Sequence, residues 1–147
     1  MTLSIKKIAI NEQVKALLKD ASLPIDDLQG QDNITFIGLH IDNKLKGVIG
    51  IEHFDNKVAL IRSLAVNKQV QAKGYGEKLV TAAEEWAHNN GINNLFLLTT
   101  TADKFFEKHG YKVIDRTKAP SVIQNSRQMT SLCPSSATIM NKQSERF

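Results

Sequence analysis

The chain has 147 residues, 41% of them hydrophobic and 23% charged, which is the balance of a soluble globular protein rather than a disordered or membrane one. Its length suits one domain with a buried core, and no apolar run approaches the roughly 20 residues that would span a bilayer. A formal charge of +4, from 19 basic and 15 acidic residues, fits an anionic small ligand but supplies no basic stripe for nucleic acid.

The N-terminus lacks the charged, apolar and cleavage regions of a secretory signal, so the cytoplasm is the expected location. Cys133 is the single cysteine, which excludes an internal disulfide and a clustered thiolate site. His40, His53, His88 and His109 are scattered without ligand spacing, so no metal is expected.

Residues 3–10 alternate loosely and predict a first strand. Asn11 is placed to cap a helix with Val14, Leu17, Leu18 and Ala21 on its apolar stripe. Pro24 ends that region or begins a new turn, and Asp26 and Asp27 suit the first turn of a second helix. Three strands are predicted next, over 34–41, 45–54 and 58–66. Asp42-Asn43 and Asp55-Asn56 tolerate left-handed backbone, so the strands should form an antiparallel meander.

Helical periodicity begins at Glu77 and carries Leu79, Val80, Ala82, Ala83, Trp86 and Ala87 on one face as far as Asn90-Gly91. The apolar run 95–98 reads as a central strand parallel to the one before the helix. Thr100 and Asp103 have capping-box spacing for a short helix through Phe105, Phe106 and His109, closed by Gly110. A strand at 111–115, a helix at 120–129 and a last strand at 137–141 complete the reading, with a polar frayed tail from Lys142 onward. The expected whole is one α/β (α+β) domain, a mixed and mostly antiparallel sheet with one parallel strand-helix-strand crossover.

The junction at that crossover carries the chemistry. A buried strand ends at Leu64-Ala65-Val66, a short basic loop follows, and Gly74 and Gly76 open the helix. The first N–H groups of a helix lack intrahelical partners and hold the positive end of its dipole, so phosphate oxygens bind there. Lys68 and Lys73 add countercharge. No Gly-x-x-x-x-Gly-Lys-Ser/Thr is present, nor a Gly-x-Gly-x-x-Gly at a strand-helix junction.

Gln71-Ala72-Lys73-Gly74-Tyr75-Gly76 matches Gln/Arg-x-x-Gly-x-Gly/Ala, and with the strand before it the chain resembles the GCN5-related N-acetyltransferases (GNATs). Residues 97–102 and 105–111 resemble the strand and helix that flank the cofactor in amino-acid N-acetyltransferases. Leu23-Pro24 and residues 60–66, 119–123 and 131–137 resemble the ArsN-type acetyltransferases encoded with arsenic-resistance genes. The likeness covers roughly residues 23–140, and the glycine motif is its most specific part.

The resemblance implies acetyl-CoA as donor, a small-molecule amine as acceptor, and neither metal, nucleic acid nor membrane; a homodimer is compatible with it. It implies that Leu64, Ala65 and Val66 hold the pantetheine arm, that residues 71–76 with Glu77 hold the pyrophosphate, and that Thr100 and Phe106 border the cofactor. Glu52, a carboxylate at the end of an apolar strand, is the candidate base, with His53 as backup on the opposite side.

Arg62 lies in the apolar run 60–66 and needs a partner, either a substrate carboxylate or an internal acid. A two-residue turn at Asp55-Asn56 would set Arg62 and Glu52 on opposite faces; a three-residue loop or a bulge would bring them together. Phe106 stands where many family members have a tyrosine acid, and Leu60 where related glutamate N-acetyltransferases have glutamate. Phe105, Phe106 and Trp86 read mainly as core, and Cys133 as a buried small residue. The expected activity is acetylation of an amino acid or a toxic amino-acid analogue. A non-catalytic acyl-CoA sensor and a peptide or protein acetyltransferase are the rivals.

Overall fold

The computed structural model describes residues 2–21, 23, 33–54, 57–71, 73–100, 102–124 and 137–143. In chain order these form β1 (Leu3–Ile8), α1 (Glu12–Asp20), β2 (Ile34–Ile41), β3 (Lys44–Phe54), β4 (Val58–Val66), α2 (Tyr75–Asn89), β5 (Asn94–Thr99), α3 (Asp103–Lys108), β6 (Lys112–Ile114), α4 (Ser121–Gln124) and β7 (Thr138–Gln143). Short 3-10 turns occupy Lys68–Val70 and Arg116–Lys118. The strands make a single sheet in the order β1-β2-β3-β4-β5-β7-β6, in which only β4 and β5 run parallel.

The expected meander is present. Asp42 and Asn43 both take positive φ, 51° and 67°, and close the β2–β3 hairpin in two residues. The β3–β4 link is longer. Phe54 faces Val58, which leaves three residues in the link, and Lys57 is left-handed at φ 62°. Asn11 caps α1 by accepting from the Val14 N–H at 2.9 Å, and Val14, Leu17 and Leu18 are buried beneath it.

The sheet is covered on two faces. α2 sets Leu79, Val80, Ala83 and Ala87 against Ile37, Leu39, Ile49, Ile51, Ala59 and Ile61. On the other face α1 packs with Phe36, Val48 and Ala65, and Ile123 of α4 packs with Val58, Leu60, Phe96 and Ile139. Because consecutive strand residues point to opposite faces, β3 and β4 are buried on both sides.

Several boundaries differ from expectation for identifiable reasons. β1 stops at Ile8, before the residue that caps α1. α2 begins at Tyr75, because Gly74 already supplies the turn. Thr100 does not cap α3; Ala102 holds that position without a side-chain cap, and its N–H donates to Thr99 Oγ1 at 2.8 Å. α4 is observed over Ser121–Gln124, with Pro120 just before it, and residues 125–129 of the helix expected at 120–129 lie outside the described residues, as do Cys133, the helix expected after Pro24 and residues 144–147.

The expected frayed tail instead begins as strand, since β7 runs to Gln143. Two polar residues of β7 have interior partners. Asn141 Nδ2 donates to the Leu95 carbonyl at 3.0 Å, and Lys142 Nζ lies 2.9 Å from Glu84 Oε2. Glu84 sits on the buried side of α2, one turn beyond Val80, and also accepts from the Tyr111 hydroxyl at 3.0 Å. This three-residue knot ties α2 to the far half of the sheet.

Burial first, then the charge of Glu84 and its hydrogen bond, push the Tyr111 phenol well above its ordinary value of 10. The folded state therefore keeps a proton that the unfolded chain loses. The resulting contribution to stability is complete below about pH 10 and is lost as pH rises beyond it. In an alkaline titration, the phenolate absorbance that disappears in Tyr111→Phe should emerge only with unfolding; phenolate from Tyr111 in the folded protein near pH 10 would contradict this.

Candidate functional site

β4 pairs with β3 along its length but with β5 only from Val58↔Asn94 to Ile61↔Leu97. Beyond that point β5 stays with β7, through Thr99↔Thr138, while residues 62–66 of β4 continue without it. A wedge opens between the two parallel strands. The cause is a bulge: the β3–β4 register shifts between Val48 and Gly50, opposite Ser63, which is left-handed at φ 58°.

Past the bulge, main-chain direction follows from one hydrogen bond. The Asn67 N–H donates to the Lys46 carbonyl at 2.7 Å, so antiparallel alternation turns Ala65 toward β3 and the main-chain groups of Leu64 and Val66 toward the wedge. There the Val66 carbonyl accepts from Gln71 Nε2 at 3.0 Å, which draws the loop across the strand end.

The loop delivers a helix start to the mouth of the wedge. Asn67 Oδ1 accepts from the Gln69 N–H at 2.9 Å and organises the 3-10 turn. Gly74 is then the N-cap of α2 at φ 79°, with no side-chain capping bond. A Cβ at Gly74 would meet nothing within 4 Å, so the requirement for glycine here is conformational rather than spatial. Lys73 and Lys78 are exposed beside this turn, and Glu77 lies in the first turn of the helix. Hollows of about 270 Å³, between α1 and residues Val66 to Gln71, and about 670 Å³, along Gly74, Glu77 and Lys78, leave the turn accessible.

Glu52 and Arg62 lie on the sheet face that carries α1 and α4. The three-residue link and the pairing Gly50↔Arg62 and Glu52↔Leu60 put both side chains on one side. Arg62 Nη1 is 3.2 Å from Glu52 Oε1, and the two residues are 4% and 6% exposed. Gly50 makes room for the arrangement: a Cβ there would stand 3.2 Å from Phe36 and 3.3 Å from Arg62 Cγ. Arg62 thus has an internal acid partner, and its Nε also donates to Ser63 Oγ at 3.2 Å.

The remaining candidates are more dispersed. His53 faces the α2 side, its ring 5.6 Å from that of Trp86, as alternation from Glu52 requires. Thr100 is an exposed bend after β5. Phe106 is buried edge-on between Phe105 and Tyr111, with ring centroids at 5.1 and 5.5 Å, so it carries α3 on the core. Ala72 lies outside the described residues. Ser63 was missed by sequence reasoning, since nothing in Leu60-Ile61-Arg62-Ser63 marks a serine for positive φ.

Removing one partner from a buried pair leaves an uncompensated charge, whereas replacing both relieves it. Glu52→Ala should therefore destabilise the fold by about 3 kcal/mol in denaturant unfolding. Glu52→Ala with Arg62→Met should lose clearly less than the sum of the single changes. Additive losses would contradict the pairing.

Comparison with known proteins follows the same segments. The model of the acetyltransferase (GNAT) family matches residues 7–111. An uncharacterized N-acetyltransferase of Chlorobaculum tepidum is 39% identical over 77 residues, which are 52% of this chain and 49% of that protein. An amino-acid acetyltransferase of Neisseria meningitidis is 31% identical over 83 residues, 56% of this chain and 19% of that one. The chain thus aligns with about half the length of the first relative and about a fifth of the second.

Two solved structures share the fold. N-acetylglutamate synthase from Neisseria gonorrhoeae, complexed with coenzyme A and N-acetyl-glutamate, has a TM-score of 0.83 over 97% of this chain and 35% of that one, at 22% identity. An N-acetyltransferase from Thermoplasma acidophilum in complex with coenzyme A has a TM-score of 0.69 over 98% of this chain and 100% of that one, at 20% identity. Since the family match runs from within β1 through the wedge, the glycine turn and α3 to Tyr111, the chain belongs to the acetyltransferase (GNAT) family.

Proposed function

We propose that the protein transfers an acetyl group from acetyl-CoA to the amine of a small molecule, an amino acid or a toxic amino-acid analogue. The observation that carries this reading is the wedge between β4 and β5, which ends at a glycine-turned helix start. An extended pantetheine arm would pair with Leu64 and Val66 as an added strand, while the uncapped N–H groups after Gly74 receive the pyrophosphate. Gln71 supports that turn through the Val66 carbonyl, and Lys73 adds charge beside it.

In the transfer the amine nitrogen attacks the thioester carbonyl carbon, a C–N bond forms, and the C–S bond breaks to release CoA as thiolate. The protein's part is positioning and removal of the amine proton, for which Glu52 is the candidate. Arg62 is the candidate for a substrate carboxylate. An incoming carboxylate would compete with Glu52 for the guanidinium and loosen Glu52 from it.

Phe106 offers no proton to the leaving thiolate, and the Tyr111 hydroxyl is committed to Glu84. A thiolate is a tolerable leaving group, so neither fact prevents transfer. The resemblance to ArsN-type enzymes supports an amine-bearing arsenical among the acceptors. Glu52 being already paired favours one rival, a non-catalytic acyl-CoA sensor.

Thiol release from acetyl-CoA should be measured across a panel of amino acids, simple amines and an amine-bearing arsenical. Turnover is expected with carboxylate-bearing amines, and Glu52→Gln should lower kcat by roughly 100-fold. Binding of acetyl-CoA without turnover of any amine would favour the sensor. Separately, Gly74→Val forces a β-branched residue into left-handed backbone and should weaken CoA binding at least about tenfold in calorimetry. Unchanged affinity would remove the turn from the mechanism.

A further inference from the structure

In a regular strand, neighbouring side chains point to opposite faces of the sheet. Arg62 and Ser63 are neighbours in β4, yet Ser63 Oγ accepts a hydrogen bond from Arg62 Nε at 3.2 Å. The conflict is resolved by the backbone of Ser63. At φ 58° it occupies the left-handed region, uncommon for a residue with a Cβ, at the point where the register with β3 shifts. Ser63 is 8% exposed and Arg62 4%, so this contact is made away from solvent, where hydrogen bonds to a charged group are strong.

The contact is directional. A guanidinium is a rigid planar fork, so fixing Nε fixes where its Nη atoms lie. Here the held fork directs Nη1 at Glu52 Oε1, 3.2 Å away. Glycine would reach the same φ without steric penalty and would open the wedge equally well. The bend therefore does not explain why a hydroxyl stands at this position, but the hydrogen bond to Arg62 does.

We infer that Ser63 is a positioning residue for acceptor recognition: the left-handed bulge that opens β4 also turns the Ser63 hydroxyl onto Arg62 Nε, presenting the guanidinium edge to the substrate carboxylate and Glu52. One residue thereby couples the shape of the donor slot to the recognition of the acceptor. This rests on the reading of Arg62 as the carboxylate-binding residue.

The test uses the full chain with Ser63→Gly, which accommodates the backbone angle and removes the hydroxyl together with its Cβ. The KM for a carboxylate-bearing amine should rise about tenfold, while the KM for acetyl-CoA, the KM for an amine lacking a carboxylate and kcat stay within about twofold. The Arg62 Nε–H resonance, assigned by its loss in Arg62→Lys, should exchange with solvent faster in Ser63→Gly than in the parent. Ser63→Ala, which removes the hydroxyl but keeps the parent's Cβ and its left-handed strain, should raise the KM for the carboxylate-bearing amine to a similar extent and leave the KM for acetyl-CoA within about twofold. Parent activity with an unchanged amine KM in Ser63→Gly would overturn the positioning role alone, as would an equal rise for amines with and without a carboxylate. No parent turnover of any carboxylate-bearing amine would overturn that role together with the functional reading beneath it.

Discussion

β4 and β5 part company after Ile61 and Leu97, and the rest of the site depends on that lost pairing. Parallel strands inside a sheet normally satisfy each other's main-chain groups along their shared length. Here β5 remains in the sheet by pairing with β7, and β4 by pairing with β3, so the gap opens without unravelling either strand. Its β4 edge presents Leu64 and Val66, and its mouth lies at the first turn of α2. A slot with strand-like hydrogen-bonding capacity and an anion site at one end suits a ligand with an amide-bearing arm and a phosphate head.

Among the described residues, each face of the sheet carries an interior ion pair. On the α2 side, Glu84 binds Lys142 and Tyr111, which joins the helix that starts at the glycine turn to β7 and the segment before β6. On the other side, Glu52 binds Arg62 between the apolar clusters of α1 and α4. Interior ion pairs are poor sources of net stability, because desolvation offsets most of the attraction. Their value lies in direction. The Glu84 knot fixes a helix, whereas the Glu52–Arg62 pair sits beside the bulge.

The sheet was largely legible in the sequence because β2, β3 and β4 have strong apolar patterns separated by Asp-Asn turns. The glycine turn was legible because Gln71, Gly74 and Gly76 sit at fixed offsets between a strand and a helix. The Glu52–Arg62 relation was legible only as a choice of register, and Phe54↔Val58 decides it by placing three residues in the link. Ser63 was invisible, since positive φ at a serine is imposed by tertiary pairing and not by local preference. β7 was read as ending at Asn141 because the residues from Lys142 onward are polar; the partner that holds Lys142, Glu84, is distant in sequence.

The central claim, that main-chain groups of β4 past the bulge are the donor-binding edge, is tested most directly by native-state hydrogen exchange at Leu64 and Val66. In the free protein both amides should exchange quickly, unlike that of Ala65, which faces β3. Saturating CoA should slow Leu64 and Val66 selectively and leave Ala65 unchanged. Leu64 and Val66 amides that are already protected in the free protein, or that exchange unaltered while CoA is bound, would contradict the account.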